Sequence, residues 1–131
     1  MRLFLAVLPD EAVRDALCTV QRRMYGKGLR GSYDDRSNLH LTLAYIGEYP
    51  DPQEIIRLLE PVRCGRFSLT LSAPGRFRKL YWCGVRESRE LSTLAAEVRQ
   101  CLEDAGVPFD GRRLYRISHC CGKQTVMYCR M

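Results

Sequence analysis

The chain has 131 residues, 46% of them hydrophobic and 27% charged, with a formal net charge of +6. That length suits one domain burying roughly 60–70% of its unfolded surface, which excludes a disordered chain and a miniprotein held only by staples. No run is long enough to cross a membrane, and "MRLFLAVLP", followed at once by "DEAVRD", is too short for a secretory signal, so the expected setting is the cytoplasm.

Residues 2 to 8, "RLFLAVL", read as a strand ended by Pro9. Asp10 then caps a helix over 11 to 25, on which Val13, Ala16, Leu17, Val20 and Met24 fall at helical spacing. The polar, glycine-containing stretch 26 to 38 is expected to be loop, and 39 to 46 a strand. "DPQEIIRLLEPV" has a cap, a proline at the first helical position and an apolar stripe of Ile55, Ile56, Leu58 and Leu59, the marks of a short helix. "RFSLTLSAP" and "RKLYWCGVR" alternate on either side of a turn and read as a strand pair. Residues 88 to 105 form a second long helix with Leu91, Leu94, Ala95, Val98 and Leu102 on one face, and "RRLYRISH" reads as a final strand. The order β-α-β-α-β-β-α-β suggests two similar halves, hence an α+β chain with helices packed outside antiparallel-rich sheets.

Arginine dominates the basic excess, 18 residues against three lysines. Its planar fork suits bidentate phosphate contacts, so an anionic partner fits; a solvated basic surface fits as well. Among the seven cysteines, Cys18, Cys64, Cys83 and Cys101 lie in apolar-patterned segments and are expected as free buried thiols in a reducing compartment. "HCCGKQTVMYC" has adjacent cysteines and no CxxC spacing, so no metal site is expected.

In "NLHLTLAYIGEY", residues 38 to 49, alternation puts His40, Thr42, Ala44 and Ile46 on one side and Leu39, Leu41, Leu43 and Tyr45 on the other. The leucine side is the natural core. Opposite it, the imidazole of His40 can exchange protons near neutral pH while the Thr42 hydroxyl holds an anionic oxygen; a partly exposed histidine on a sheet face is the simpler alternative. One such pair cannot both activate a nucleophile and protonate a leaving group. The other histidine, His119, lies 79 residues further on at the end of a strand-like run, which matches two halves contributing one imidazole each.

"MRLFLAVLPDEAVRDAL", "NLHLTLAYIGE" and "GRFRKLYWCGV" together resemble the 2H phosphoesterase superfamily, and within it the bacterial RNA 2',3'-cyclic phosphodiesterases, also called 2'-5' RNA ligases. The resemblance covers residues 1 to about 113. It implies a bilobal α+β fold over residues 1–131, with two antiparallel-rich sheets, helices outside and a central cleft in which two H-x-[T/S] motifs face each other. It implies no metal and no cofactor, a monomer without an obligate protein partner, and a substrate RNA or oligonucleotide ending in a 2',3'-cyclic phosphate. His40 and Thr42 match the first motif. One imidazole takes a proton from water and the other, in the family the first-motif histidine, donates one to the departing ribose 3' oxygen, which leaves a 2'-phosphomonoester; reversible 2'-5' ligation is the companion activity. The hydroxyls bind the non-bridging oxygens.

The resemblance implies a second motif of the form H-x-T-L-x-R. If His119 is its histidine, Cys121 stands at the threonine position and Gln124 at the arginine position, and residues 117–131 are atypical, with the C-terminal part of the fold incomplete. Arg116, with Arg76, Arg78, Arg112 and Arg113, is a candidate phosphate contact. The alternative reading is a catalytically impaired relative that at most binds RNA or phosphate. A shift of reading frame just before residue 117 would account for both the broken motif and the cysteine cluster.

Overall fold

The computed structural model describes residues 2–29, 33, 35–63, 65, 67–77, 80–110 and 116–120, apart from the side chains at 76, 77, 80, 116 and 118–120. Strand β1 (Arg2–Val7) is apolar after its first residue, and Leu3, Phe4, Leu5 and Ala6 are all at most 1% exposed. Continuous burial of this kind marks a strand covered on both faces.

Helix α1 (Glu11–Gly26) starts where Asp10 accepts a hydrogen bond from the Val13 amide at 3.0 Å. Helix α2 (Pro52–Leu58) starts where Asp51 accepts from the Gln53 amide at 3.0 Å, with Pro52 filling a position that needs no donor. Helix α3 (Arg89–Asp104) is capped by Ser88, whose hydroxyl accepts from the Leu91 amide at 3.2 Å. Its buried residues are the stripe expected from the spacing: Leu91, Leu94, Ala95, Val98 and Leu102. On α2, Ile55 and Leu59 are buried but Ile56 is 40% exposed, so the apolar stripe is narrower than its sequence suggests.

The remaining strands are β2 (Leu41–Glu48), β3 (Leu71–Phe77), β4 (Leu80–Val85) and β5 (Arg116–Cys120). They form a sheet in the order β1-β2-β5-β4-β3, with every pairing antiparallel. The expected halves are the pairs β1-β2 and β3-β4, and β5 joins them into a single sheet: Ile117 faces Leu41 on one side and Cys83 on the other. Pro74 is tolerated because β3 is an edge strand. Gly75 is required where it stands, since a Cβ there would meet the Trp82 indole at 2.4 Å.

Leu3, Leu5, Leu41, Leu43, Cys83, Val85 and Ile117 from the sheet share a core with Leu17, Ile55 and the α3 stripe. The three helices therefore cover the same face. Phe4 and Ala6 are buried but stand outside that core, on the opposite face.

The elements depart from the sequence reading in several places: β2 spans Leu41–Glu48 rather than 39 to 46, and β5 spans Arg116–Cys120 rather than 112 to 119. β3 begins at Leu71 rather than 66, because Phe67 and Leu69 pack on the core but ladder pairing starts with Leu71 opposite Val85. In β2 the strict alternation fails after Leu43. The pairing with β1 shifts between Leu5 and Ala6 and again between Leu3 and Phe4, so extra β2 residues bulge at 43–44 and 46–47. Ala44 and Ile46, expected beside His40, consequently pack with the core, while Tyr45 is 38% exposed opposite Phe4. Of the expected buried thiols, Cys83 is buried, Cys18 and Cys101 are half-buried, and Cys64 lies outside the described residues. Among the described residues no helix is long and apolar enough to cross a membrane.

Candidate active site

Leu39, Leu41 and Leu43 are at most 2% exposed and point into the core, whereas His40 and Thr42 between them are half-buried. The two polar side chains thus share the face of the sheet opposite the helices, about 6.6 Å apart along an extended chain. His40 precedes the first residue of β2. It is held there by the 3-10 turn Arg36–Asn38, whose last carbonyl lies 2.5 Å from His40 Nδ1. A carbonyl only accepts, so Nδ1 carries the proton and Nε2 is the nitrogen left to exchange one.

The ring of Phe4 stacks against the imidazole, with centroids 4.7 Å apart and planes at 28°. Ala6, two residues along β1, lies directly across from Thr42. The turn that supplies the Asn38 carbonyl is itself pinned. Arg36 reaches Glu11 and Asp15 on α1, and both carboxylates push its already high pKa further up. These groups are largely exposed, so the clamp fixes direction more than it adds stability. On the helix side, Arg99 of α3 approaches the Leu43 carbonyl at 3.5 Å, steadying the bulge that follows Thr42, and its Nε is buried without a described partner.

Of the sequence candidates, the structure brings His40 and Thr42 together. Arg116 begins β5 and His119 lies within it, as backbone positions whose side chains are outside the description; Cys121, Arg78, Arg112 and Arg113 lie outside the described residues, and Arg76 is placed in β3 by its backbone. β5 runs beside β2, so His119 is on the strand next to the one that follows His40. Two contributors escaped the sequence reading, Phe4 and the Asn38 carbonyl. The signal for Phe4 was the unbroken apolar run of β1, which requires both of its faces to be covered. A cavity of about 390 Å³ between Arg63, Arg89, Glu90, Thr93, Leu94 and Glu97 opens at the start of α3, and neither His40 nor Thr42 lines it. Among the described residues no cluster of histidine, cysteine or carboxylate side chains could hold a metal ion.

An antiparallel sheet built from two halves thus has helices on one face and a His-x-Thr pair on the other. The family model of the 2'-5' RNA ligase superfamily matches residues 9–113, and the chain belongs to that superfamily. It is 29% identical over 121 residues to an RNA 2',3'-cyclic phosphodiesterase of Thermotoga maritima, covering 84% of this chain, and 30% identical over 114 residues to one of Archaeoglobus fulgidus, covering 81%. The chain spans 64% of the length of each of these relatives. Its structure is similar to the apo crystal structure of E. coli LigT, with a TM-score of 0.73 and 25% identity over 96% of this chain and 76% of that one. LigT complexed with 3'-AMP matches with a TM-score of 0.67 and 26% identity, over 88% of this chain and 67% of that one.

Proposed function

We propose that the chain is a single 2H phosphoesterase-like domain that hydrolyses a 2',3'-cyclic phosphate at the end of an RNA to a 2'-phosphomonoester. The observation that carries the reading is the His40–Thr42 pair, with Nδ1 committed to the Asn38 carbonyl and Nε2 free to move a proton. The names of the relatives and the complex of LigT with 3'-AMP support the substrate class.

The chemistry follows from the strain in a five-membered cyclic diester. Water attacks phosphorus in line with the departing 3' oxygen, and protonated His40 Nε2 gives that oxygen its proton. The Thr42 hydroxyl donates to a non-bridging oxygen and holds phosphorus in line. A second imidazole takes the proton from water; His119 is the candidate in the chain as read, with Cys121 and Arg116 as candidate phosphate contacts. With the 5' hydroxyl of a second RNA attacking in place of water, and its proton taken by the same second imidazole, displacement of the 3' oxygen leaves a 2'-5' linkage, which is ligation. No step is assigned to a metal.

Because "HCCGKQ" has a weakly donating thiol at the threonine position and no alternating strand pattern to aim His119, the chain as read is expected to work slowly; a chain in which that imidazole does not act loses roughly 10²–10⁴-fold in rate. The test is hydrolysis of an oligoribonucleotide ending in a 2',3'-cyclic phosphate, with and without chelator. Slow, chelator-insensitive release of the 2'-monoester is expected, with binding that weakens steeply as salt rises. Metal-dependent cleavage, or formation of the 3'-monoester, refutes the assignment. Salt-sensitive binding of the cyclic end without turnover favours the impaired, phosphate-binding relative.

A further inference from the structure

We infer that the gene carries the second catalytic motif in another reading frame, and that residues from 117 onward are read out of the frame in which that motif was built. The inference rests on the two-imidazole reading of the site.

A second motif that faces the first needs a neighbouring strand to stand on, and β5 is such a strand. The first motif, "HLTL", enters β2, and β5 lies against β2 with Ile117 facing Leu41. Yet "RISHCCGK" contains no histidine followed two positions later by threonine. Ile117, Cys120, Cys121 and Gly122 must be written ATH, TGY, TGY and GGN, and His119 CAY, where H is A, C or T, Y is C or T, and N is any base. Reading instead from the third base of the Arg116 codon, and with Ser118 written TCN, gives NAT, HTC, NCA, YTG, YTG, YGG. HTC is Phe, Leu or Ile whatever its first base. Both YTG codons are Leu in every case, and YGG is Arg or Trp. If Arg116 is CGC and Ser118 is TCA, the first and third codons become CAT and ACA. The peptide is then His-x-Thr-Leu-Leu with x apolar, the pattern of the chain's own "HLTL". Reading from the second base does not give it. A histidine there is followed at the threonine position by GYT, which is Val or Ala.

The shifted peptide has the alternation of a strand with one buried face. Its histidine and threonine alternate with x and leucine, as His40 and Thr42 alternate with Leu41 and Leu43. Its apolar positions fall on the opposite parity from the buried Ile117, so the strand would slide by one residue against β2 to bury them, carrying every other side chain to the other face.

The nucleotide sequence across codons 116 to 122 decides the inference. CGC for Arg116 and TCA for Ser118 are expected. Any other codon at either place overturns it. The second arm expresses the gene with the frame restored by one inserted base, or two deleted bases, just before this segment. Against an oligoribonucleotide with a 2',3'-cyclic phosphate, a rate roughly 10²–10⁴-fold above that of the chain as read is expected. If the codons fit but the restored protein neither cleaves nor binds that end, the proposed function fails and the frame inference stands. A loss of activity of this size on His119→Ala in the chain as read would show that the present frame supplies the second imidazole, and overturns the inference.

Discussion

On the proposed mechanism the two nitrogens of His40 have different jobs, Nδ1 holding the ring and Nε2 moving a proton, and two amide substitutions separate them. In His40→Asn the side-chain nitrogen sits the same number of bonds from Cβ as Nδ1 does, so the hydrogen bond to the Asn38 carbonyl is retained while Nε2 is lost. In His40→Gln the nitrogen sits where Nε2 does, and the contact with Asn38 is lost. Neither amide transfers protons near neutral pH, so both variants lose the rate due to one acid–base group, roughly 10²–10⁴-fold, or about 2.7–5.5 kcal/mol of barrier. Their stabilities should differ. The Asn variant gives up only the stack on Phe4, about 0.5–1.5 kcal/mol, which for 131 residues is a fall in Tm of about 2–5 °C. The Gln variant also strands the Asn38 carbonyl, adding about 0.5–1.5 kcal/mol and a similar further fall. The assays are thermal unfolding followed by circular dichroism, and hydrolysis of a 2',3'-cyclic phosphate end relative to the unaltered chain. An Asn variant that keeps more than a tenth of the rate would show that Nε2 moves no proton in the reaction. Equal melting temperatures for the two variants would show that the Asn38 contact does not hold the ring.

Leu41→Ala, at a fully buried position facing Ile117, should cost about 2–5 kcal/mol in chemical denaturation, and a loss below 1 kcal/mol would mean that β5 does not close over β2. Arg36→Met should lower kcat by less than His40→Asn does while leaving the helical circular dichroism unchanged, because it loosens the turn that aims the ring; an unaltered kcat refutes the clamp. Burial pushes the Cys83 thiol up, so the folded state holds its proton after the unfolded chain has released it. Its contribution to stability is therefore complete below the ordinary cysteine range and is lost as pH rises from there through the raised folded value. Iodoacetamide at pH 8.5 should mark Cys18 and Cys101 before Cys83 in peptide mass mapping, and labelling Cys83 first would refute this.

The helices were legible because their evidence is local. Asp10, Asp51 and Ser88 stand at their caps, and the α3 stripe follows from spacing alone. The pairing of His40 with Thr42 was legible for the same reason, since period 2 carries across a few residues. What escaped depends on partners distant in sequence. The bulges of β2 exist only against the register of β1, so nothing within "HLTLAYIG" announces that Ala44 turns to the core and Tyr45 away from it. The Phe4 ring meets His40 across 36 residues of chain, and no spacing rule reaches that far. The start of β3 slipped because Phe67 and Leu69 alternate like a strand without entering the ladder.

The place of β5 in the middle of the sheet also has a kinetic consequence. The β1-β2 and β3-β4 pairs can each form from nearby chain, but Leu41 and Ile117 meet only after 76 residues have been brought round. Closing so long a loop is slow, so insertion of β5 is expected late. Until it arrives, β2 and β4 each present an unpaired edge, and two open edges on one molecule are enough to link copies end to end. A nascent chain of this design is most vulnerable to aggregation in the interval before β5 emerges, so the residues of β5 bear on its solubility.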